Sequence, residues 1–362
     1  MKKTPSFRMN VKKYTRRLFA VALTAMVASE GALAQNEVKG TTYYLPQTAI
    51  QFSVLVERNA TQPGDLCMYS ERFLKKSDVA LKPTTQYRIL DITARATGVR
   101  DTSKMYTANI NSKHSIVTLK VNEEGIIEAV NTTTAERPKP KRFVPAPKQQ
   151  PLNPRDYMNQ DILTAASKAK TAELVAQEIY DIRESRNQLN KGQADFMPKD
   201  GEQLRLMLNN LNTQETVLLQ LFEGTNERDT MEHIINYIPT KEVNKDVLFR
   251  FSQKLGLVDK DDLAGAPFYI SIADLHSMPT NAAVSDEKRS KDDANIYVTM
   301  PGKISFTLYR SEQELMTQEL YAGQFGKTAP LDNEFFGRKL FTTLVYDPVT
   351  GSVEDIKTEP MK

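Results

Sequence analysis

The spacing of the apolar residues changes twice along the chain, and this change constrains the fold more than any other feature. Apolar and polar residues alternate through much of residues 41–134, as in IQFSVLV at 50–56 and YRILDI at 87–92. Between residues 161 and 222 the apolar residues recur every third or fourth position, and from residue 231 the alternation returns. A period of two is typical of half-buried strands, and a period near 3.6 of amphipathic helices. The sequence therefore predicts helices placed between two β-rich stretches.

The helical stretch divides into two predicted helices. Asp200 lies three residues before Gln203, as in an N-terminal capping box, and Gly224 lies where a C-terminal cap is expected. Gly192 and Pro198 break the chain between the two helices. The first apolar stripe is Ala165, Ala169, Ala172, Val175, Ile179, Ile182 and Leu189, and the second is Leu204, Leu208, Leu211, Leu218 and Phe222. We predict that these stripes are buried within the molecule, with burial against a partner as the alternative.

Local signals refine the β-rich stretches. After the helices, strands are predicted at 234–238, 247–251, 268–272, 296–300, 304–309 and 344–346. SIVTLKVNEEGIIEAV at 115–130 predicts two strands joined by a tight turn, in which Gly125 supplies the positive φ. LVYDPVTGSVEDI at 344–356 has a similar pattern, which either duplicated β modules or turn chemistry alone would produce. A short helix is predicted near residues 66–75.

A proline-rich, basic segment separates the first β-rich stretch from the helices. Residues 136–154 contain six prolines and five Lys or Arg residues among nineteen. Proline lacks an amide hydrogen and favours an extended neighbour, so this segment is predicted to be an exposed, semi-stiff connector. Its basic residues could touch an acidic surface or lipid headgroups, but a solvated linker is the preferred interpretation.

Together these patterns predict an α+β fold, with two β-rich, sandwich-like modules flanking an antiparallel two-helix hairpin. The predicted segments are a signal peptide at 1–34, an N-terminal β-rich module at 35–135, a Pro-rich basic linker at 136–156, the helical hairpin at 157–225, and a C-terminal β-rich module at 226–362.

The N-terminal segment has the pattern of an export signal. Seven Lys or Arg residues precede an apolar run at 18–28, which is shorter than the roughly 20 residues that span a membrane. Ala32 and Ala34 fit a signal peptidase site, so cleavage is predicted before Gln35. The pair Arg16-Arg17 leaves the twin-arginine route as an alternative to ordinary export. No cysteine follows the cleavage site, so we do not expect a lipoprotein.

Removal of the leader reverses the sign of the net charge. The full chain carries +3, but seven of its 48 Lys and Arg residues and one of its 45 acidic residues precede position 35. The mature chain therefore has 41 basic and 44 acidic residues, or −3, and nucleic-acid binding is not expected. Its lone cysteine, Cys67, is interpreted as a small buried hydrophobic residue rather than a reactive thiol.

Searches for catalytic and metal-binding patterns give no match. Gly326-Lys327-Thr328 resembles the end of a phosphate-binding loop, but Tyr321 stands where that loop requires glycine. The acidic run at 259–262 lacks the later glycine and glutamate of a calcium loop. The three histidines, His114, His233 and His276, lie too far apart in sequence for a local ligand pair. We therefore predict no catalytic residue, metal or cofactor, while a site assembled from distant residues stays an alternative.

Aromatic residues offer one candidate for ligand contact. The chain has no tryptophan, so tyrosine would have to supply an apolar platform for a sugar. Tyr43 and Tyr44 form the most visible pair near the mature N-terminus, and they are the predicted ligand or partner contacts. Because successive strand residues point to opposite faces, only one of them is expected to face a ligand while the other packs into the core.

Three stretches carry a family resemblance: TTYYLPQTAIQFSVLVE at 41–57, PGDLCMYSERFL at 63–74 and YRILDITARATGVRDTSKMY at 87–106. They resemble an uncharacterised family of exported Bacteroidota proteins that is catalogued as a domain of unknown function. The resemblance implies a lineage and an exported location, and no catalytic set. Within that lineage Asp229-Thr230-Met231 is similar to an O-glycosylation acceptor, which makes Thr230 a predicted modification site, whereas a capping or turn aspartate is the simpler interpretation.

The function predicted from these observations is that of an exported, non-enzymatic binding or structural component of the cell envelope. We expect it in the periplasm or at the outer-membrane periphery, with a protein or envelope partner and no membrane-spanning segment in the mature chain. Two alternatives stay open, a periplasmic hydrolase-like enzyme with a dispersed site and a glycan-binding protein. A concave pocket with converging polar groups would favour an enzyme, and a flat apolar patch would favour binding.

Overall fold

The computed structural model describes residues 40–110, 113–135, 137–148, 150–278 and 293–361. The predicted signal peptide at 1–34 lies outside the described residues. Within them the protein is mostly β, with a minority of helix.

The described ranges contain twelve strands and four α-helices. The strands are β1 (Gly40–Gln62), β2 (Thr84–Asn109), β3 (Leu119–Val121), β4 (Ile127–Val130), β5 (Thr225–Tyr237), β6 (Val243–Ser252), β7 (Gly256–Val258), β8 (Ala266–Asp274), β9 (Tyr297–Arg310), β10 (Gln313–Pro330), β11 (Leu340–Tyr346) and β12 (Val353–Pro360). The helices are α1 (Ser70–Leu74), α2 (Gln160–Leu163), α3 (Lys168–Lys191) and α4 (Gly201–Glu223). Short 3₁₀ helices occupy Cys67–Tyr69, Pro154–Tyr157 and Asn333–Phe336.

The strands form three sheets in which every pairing between named strands is antiparallel. The first sheet has the order β2-β1-β5, the second β10-β9-β8-β6-β7, and the third β12-β11-β4-β3. The two hairpins with similar sequences, β3-β4 and β11-β12, lie side by side in the third sheet.

Strands from the two ends of the chain share sheets. Residues 50–62 of β1 pair with residues 225–237 of β5, and Val130 of β4 pairs with Leu344 of β11. Strands before and after the helices therefore belong to common sheets, which the alternation pattern did not indicate. The boundaries of the five predicted segments remain predictions.

Three clusters of buried apolar side chains hold these elements together. The largest joins the first and second sheets, with Phe52 of β1 packed edge-on against Phe306 of β9 at a centroid distance of 5.7 Å. The second cluster includes Tyr43 of β1, Tyr297 of β9 and Tyr346 of β11. The third belongs to the helices and the segment around α1. Burial of each such side chain contributes roughly 1.5–3 kcal/mol, so the clusters supply most of the driving force for folding.

The predicted caps of the long helices are confirmed. The side chain of Asp200 accepts a hydrogen bond from the N–H of Gln203 at 2.7 Å, and Gly192 and Gly224 end α3 and α4 with positive φ. The predicted burial of the two stripes is confirmed in part. The buried members are Ala172, Val175, Ile179, Ile182, Leu189, Leu218 and Phe222. The half-buried members are Ala165, Ala169, Leu204, Leu208 and Leu211. Helix α3 begins at Lys168, where Ser167 accepts from the N–H of Lys170. The shorter helix α2 precedes it.

Glu215 of α4 is the only buried charged residue in the described part of the chain. It accepts a hydrogen bond at 2.6 Å from Nε of Arg183 and a second from Arg186 on α3. Burial raises the pKa of this carboxyl, but the hydrogen bond from Arg183 and the charge of Arg186 outweigh it and hold the pKa below 4.5. The carboxylate therefore stays ionised at neutral pH and joins the two helices.

Three local predictions differ from the structure. The strands predicted at 296–300 and 304–309 are one strand, β9, because Pro301-Gly302 is accommodated where β10 shifts its register. A side chain at Gly302 would collide with the backbone of Phe325, so glycine permits this close approach. Strand β10 was not predicted at all. Cys67 is half-buried rather than buried.

Candidate functional site

One face of the first sheet points away from the largest core cluster and borders a cleft lined by Gln51, Ser53 and Arg95. This face is here named the polar face. Because side chains alternate along a strand, Gln51 and Ser53 of β1 lie on the face opposite Phe52, which is buried in the largest core cluster. Arg95 of β2 pairs across from Gln51, and its Nε donates to the side-chain oxygen of Gln51 at 3.0 Å. Gln51 in turn donates to Asn236 of β5 at 2.9 Å. A row of hydrogen bonds thus crosses all three strands.

Residues 137–148, here named the strap, pass over this face. Every residue of the strap is exposed, and none belongs to a helix or strand. Proline occupies positions 138, 140, 145 and 147, which removes four backbone donors and favours an extended chain. Pro140, Lys141 and Arg142 line one side of a cleft of about 290 Å³, whose other side is the polar face.

The middle of the strap is attached to β5 through Glu232. The backbone N–H of Phe143 donates to one carboxylate oxygen of Glu232 at 3.2 Å, and the hydroxyl of Ser53 donates to the other at 2.5 Å. The hydrogen bond from Ser53 is the main cause of a lowered pKa of Glu232, and the Phe143 N–H and the charges of Arg142 and Arg95 lower this pKa further. Glu232 is therefore ionised at neutral pH and accepts both bonds.

The two ends of the strap are attached by ion pairs. Lys148 donates to Glu227 at 2.9 Å and to Asp229 at 3.1 Å, and both of these acids lie on β5. These hydrogen bonds raise the pKa of Lys148 above its ordinary value. At the other end Arg137 is paired with Glu354 of β12. Exposed pairs of this kind contribute little energy singly, but three attachments along one short segment fix its path.

Between its attachments the strap presents a distinct set of side chains to solvent. Lys139, Lys141 and Arg142 make no ion pair with the described residues. Phe143 and Val144 follow directly, and 82% of Val144 is exposed. The strap thus combines Lys139 and Lys141, an arginine whose charge acts on Glu232, two apolar side chains and four prolines on a segment that is already held in place.

The predicted contact residues Tyr43 and Tyr44 are placed on different sides of β1. Tyr43 is fully buried, and its hydroxyl donates to the carbonyl of Asn295 at 2.9 Å and accepts from the N–H of Tyr297 at 2.8 Å. Tyr44 is half-buried, and Arg100 lies over its ring at 5.1 Å from the centroid. The expectation that one of the two packs into the core is confirmed. Ligand contact at Tyr44 remains a prediction.

Thr230, the predicted glycosylation site, lies in β5 opposite Glu57 and is half-buried. It is two residues from Glu232 and therefore shares its face of the sheet. Asp229 neither caps a helix nor forms a turn, because it lies within β5 and accepts from Lys148. The capping interpretation is therefore wrong, and the glycosylation of Thr230 remains a prediction.

The structure groups none of the other predicted candidates into a reactive site. Within the described ranges no group of three or more His, Cys, Asp and Glu residues could hold a metal ion. Lys327 and Thr328, from the loop-like tripeptide, belong to strand β10. Residues 259–262 form a turn in which Asp262 donates its N–H to the carbonyl of Asp259 at 3.0 Å.

The family described as Domain of unknown function (DUF4831) matches residues 39–354. The chain belongs to this family. No curated protein and no solved structure matches the chain. The DUF4831 match contains the whole strap and all of β5, so the site described above lies inside the family's region. No described helix has both the length and the apolar character needed to cross a bilayer. The Bacteroidota lineage and export remain predictions.

Sequence reasoning identified the strap but not the acids that attach it. The basic and proline content of residues 136–154 marked an unusual segment. Glu227, Asp229 and Glu232 lie about 90 residues later, in a strand that was predicted only from position 234. The available signal was a group of three acids within six residues, in a chain that also has a basic linker. Only the pairing of the strands shows that the two lie together.

Proposed function

We propose that this protein is an exported component of the bacterial cell envelope that binds a partner without catalysing a reaction, with the strap as its recognition segment. The observation that carries the proposal is the strap itself, an exposed proline-rich segment attached at three points. A segment that served only to connect two parts of the chain would not need its bonds to β5 and β12.

Attachment of the strap lowers the cost of binding. A free proline-rich peptide loses conformational entropy when a partner orders it, whereas the strap is ordered by Glu232, Lys148 and Arg137 beforehand. Extended proline-rich segments dock in aromatic-lined grooves of partner proteins. The exposed Lys139, Lys141 and Arg142 add a requirement for negative charge beside that groove. The partner we propose is therefore a protein with an acidic, aromatic-lined groove.

Export is supported by the pattern of the leader. The short apolar run at 18–28 and the small residues Ala32 and Ala34 favour cleavage before Gln35. N-terminal sequencing of the protein recovered from the cell envelope tests this. The expected first residue is Gln35, and a product that retains residues 18–28 in the membrane would contradict export by cleavage.

The finer architecture belongs to the same proposal. The first and second sheets share one apolar cluster, which supports a sandwich-like packing of the two. Arg183 of α3 bonds Glu215 of α4, and Arg186 of α3 bonds Asn212 of α4. Residues later in α3 therefore contact residues earlier in α4. This order supports an antiparallel hairpin.

Charge reversal in the strap tests the proposed function. In the double variant Lys139→Glu/Lys141→Glu the attachments at Arg137, Phe143 and Lys148 are kept, but the surface offered to an acidic groove changes sign. Cross-linked capture from the cell envelope, followed by mass spectrometry, should lose the partner that the wild-type protein captures.

The matched control is Lys241→Glu/Lys254→Glu, which reverses two exposed lysines outside the strap. This control should retain the partner. If the strap variant captures the same partner in the same amount as the wild type, or if the control loses it equally, the strap is not the recognition segment.

A further inference from the structure

A second cleft lies where the first and second sheets meet, away from the strap. It measures about 530 Å³, within the range of roughly 300–1,000 Å³ that small-molecule sites occupy. Here it is named the arginine cleft. Its lining residues are Glu57, Asn59, Gln86, Tyr87, Arg88, Ile89, Arg228, Phe251, Gln253, Phe268 and Arg310.

The apolar part of the arginine cleft is continuous with the largest core cluster. Phe251 and Phe268 belong to that cluster, and Tyr87 and Ile89 pack against it. Phe268 is stacked on Phe249 at a centroid distance of 4.5 Å, which fixes the plane of its ring. These aromatic side chains are held by packing on the core, so this wall of the cleft is formed before any ligand arrives.

The charges around the cleft are unbalanced. Three arginines line it against a single acid, Glu57, and that acid already accepts from Arg88 at 3.1 and 3.2 Å. Neither Arg228 nor Arg310 makes an ion pair with any described residue. The guanidinium of Arg310 lies 5.9 Å from the centre of the Phe268 ring, so the positive charge adjoins the aromatic wall.

We propose that the arginine cleft binds a small organic anion, in which a phosphate, sulfonate or carboxylate group is joined to an aromatic or other flat apolar body. Arg228 and Arg310 hold the anionic group, because a guanidinium presents a planar set of donors that matches such oxyanions. The flat body lies against Tyr87 and Ile89, whose side chains are half-buried and line the cleft. This site is independent of the strap and of the partner proposed for it.

A fluorescent probe of the same chemistry tests the proposal. Anilinonaphthalene sulfonate carries a sulfonate and two flat ring systems, and its fluorescence rises on transfer to an apolar site. Titration of the mature protein, residues 35–362, should show saturable binding. The double variant Arg228→Ala/Arg310→Ala should bind the probe at least tenfold more weakly.

The matched control is Arg72→Ala/Arg155→Ala, which removes two arginines outside the cleft. It should bind like the wild type. Because Arg228 and Arg310 are exposed, the cleft variant should also melt like the wild type. Equal affinity of wild type and cleft variant would overturn the proposal, as would an equal loss in the control.

Competition on the unmodified protein provides a second measurement that does not depend on folding of a variant. Phenyl phosphate should displace the probe, whereas benzyl alcohol, with the same ring and no charge, should not. Displacement by both compounds at equal concentration would mean that the cleft recognises apolar surface alone, and the proposed role of the arginines would be wrong.

Discussion

Buried tyrosines connect distant parts of the chain at the scale of single residues. The hydroxyl of Tyr43 on β1 bridges the carbonyl of Asn295 and the N–H of Tyr297. The hydroxyl of Tyr346 on β11 donates to the carbonyl of Tyr297 at 2.9 Å. Tyr106 of β2 stacks on the Tyr297 ring with centroids 3.9 Å apart. Tyrosine suits these positions because its ring packs in the core while its hydroxyl satisfies backbone groups.

Removal of the Tyr43 hydroxyl should destabilise the protein. In Tyr43→Phe a half-buried carbonyl and a buried N–H each lose a partner, and loss at the buried N–H alone costs about 1–3 kcal/mol. Urea unfolding should show a lower midpoint than the wild type. The control is Tyr44→Phe, because the Tyr44 hydroxyl makes no hydrogen bond with the described residues. Equal midpoints for the two variants would show that the bridge contributes nothing.

The same tyrosines should make stability depend on alkaline pH. Burial raises the pKa of Tyr43 and of Tyr346 above 10.0, the ordinary value that both regain on unfolding. Their contribution is therefore complete below pH 10 and is lost as the pH rises further, since only the unfolded state releases these protons. The free energy of unfolding, measured by urea titration at increasing pH, should fall above about pH 10. A smaller fall is expected in Tyr43→Phe, and an identical fall would contradict this assignment.

For single residues, the alternation of apolar and polar positions predicts only which neighbours lie on opposite faces of a strand. It indicated that Tyr43 and Tyr44 face opposite ways, but not which of them lies in the core. That choice depends on Tyr297 and Tyr346, which are some 250 to 300 residues away in sequence. A periodic pattern carries no information on such partners.

At the scale of elements, the helices were the most predictable part of the fold. Their caps at Asp200, Gly192 and Gly224 act within a few residues, so sequence alone could place them. Strand β10 was missed because its first half is mostly exposed and does not alternate strictly between apolar and polar residues, and its pairing with β9 decides its conformation. Local patterns thus predicted the elements that local contacts determine.

A polar substitution in the first helical stripe should destabilise the protein strongly. Ile179 is fully buried among the side chains of α3 and α4, so Ile179→Asp removes its apolar contacts and buries a charge without a partner. Thermal melts should show a large fall in the melting temperature. The control is Leu206→Asp on α4, where 61% of the side chain is exposed and a change within about 0.5 kcal/mol is expected. An unchanged melting temperature in Ile179→Asp with loss of partner capture would mean that the stripe is an interface.

At the scale of the whole molecule, pairing between distant strands sets the architecture. β1 lies between β2 and β5, and the third sheet needs both β4 and β11. These pairings span the helices, the strap and much of the sequence, so no local signal could predict them. The same pairing brings the acids of β5 beneath the strap. The candidate site is thus a consequence of the topology.

Residues 35–135 should therefore not fold when they are separated from the rest of the chain. A fragment of residues 35–135 keeps β1 to β4 but loses β5, β11 and the second-sheet side chains that bury Phe52. Circular dichroism and urea titration of the fragment should show no cooperative transition. A sharp transition like that of residues 35–362 would show that residues 35–135 are an autonomous domain.

Site-specific photo-crosslinking in living cells tests the proposed role of the strap most directly. A photoreactive amino acid replaces Val144, which is 82% exposed in the strap, and in a second strain it replaces Leu263, which is 83% exposed elsewhere. We expect a discrete adduct with one envelope protein from position 144 and none from position 263. Absence of an adduct at 144, or the same adduct from both positions, would contradict recognition through the strap.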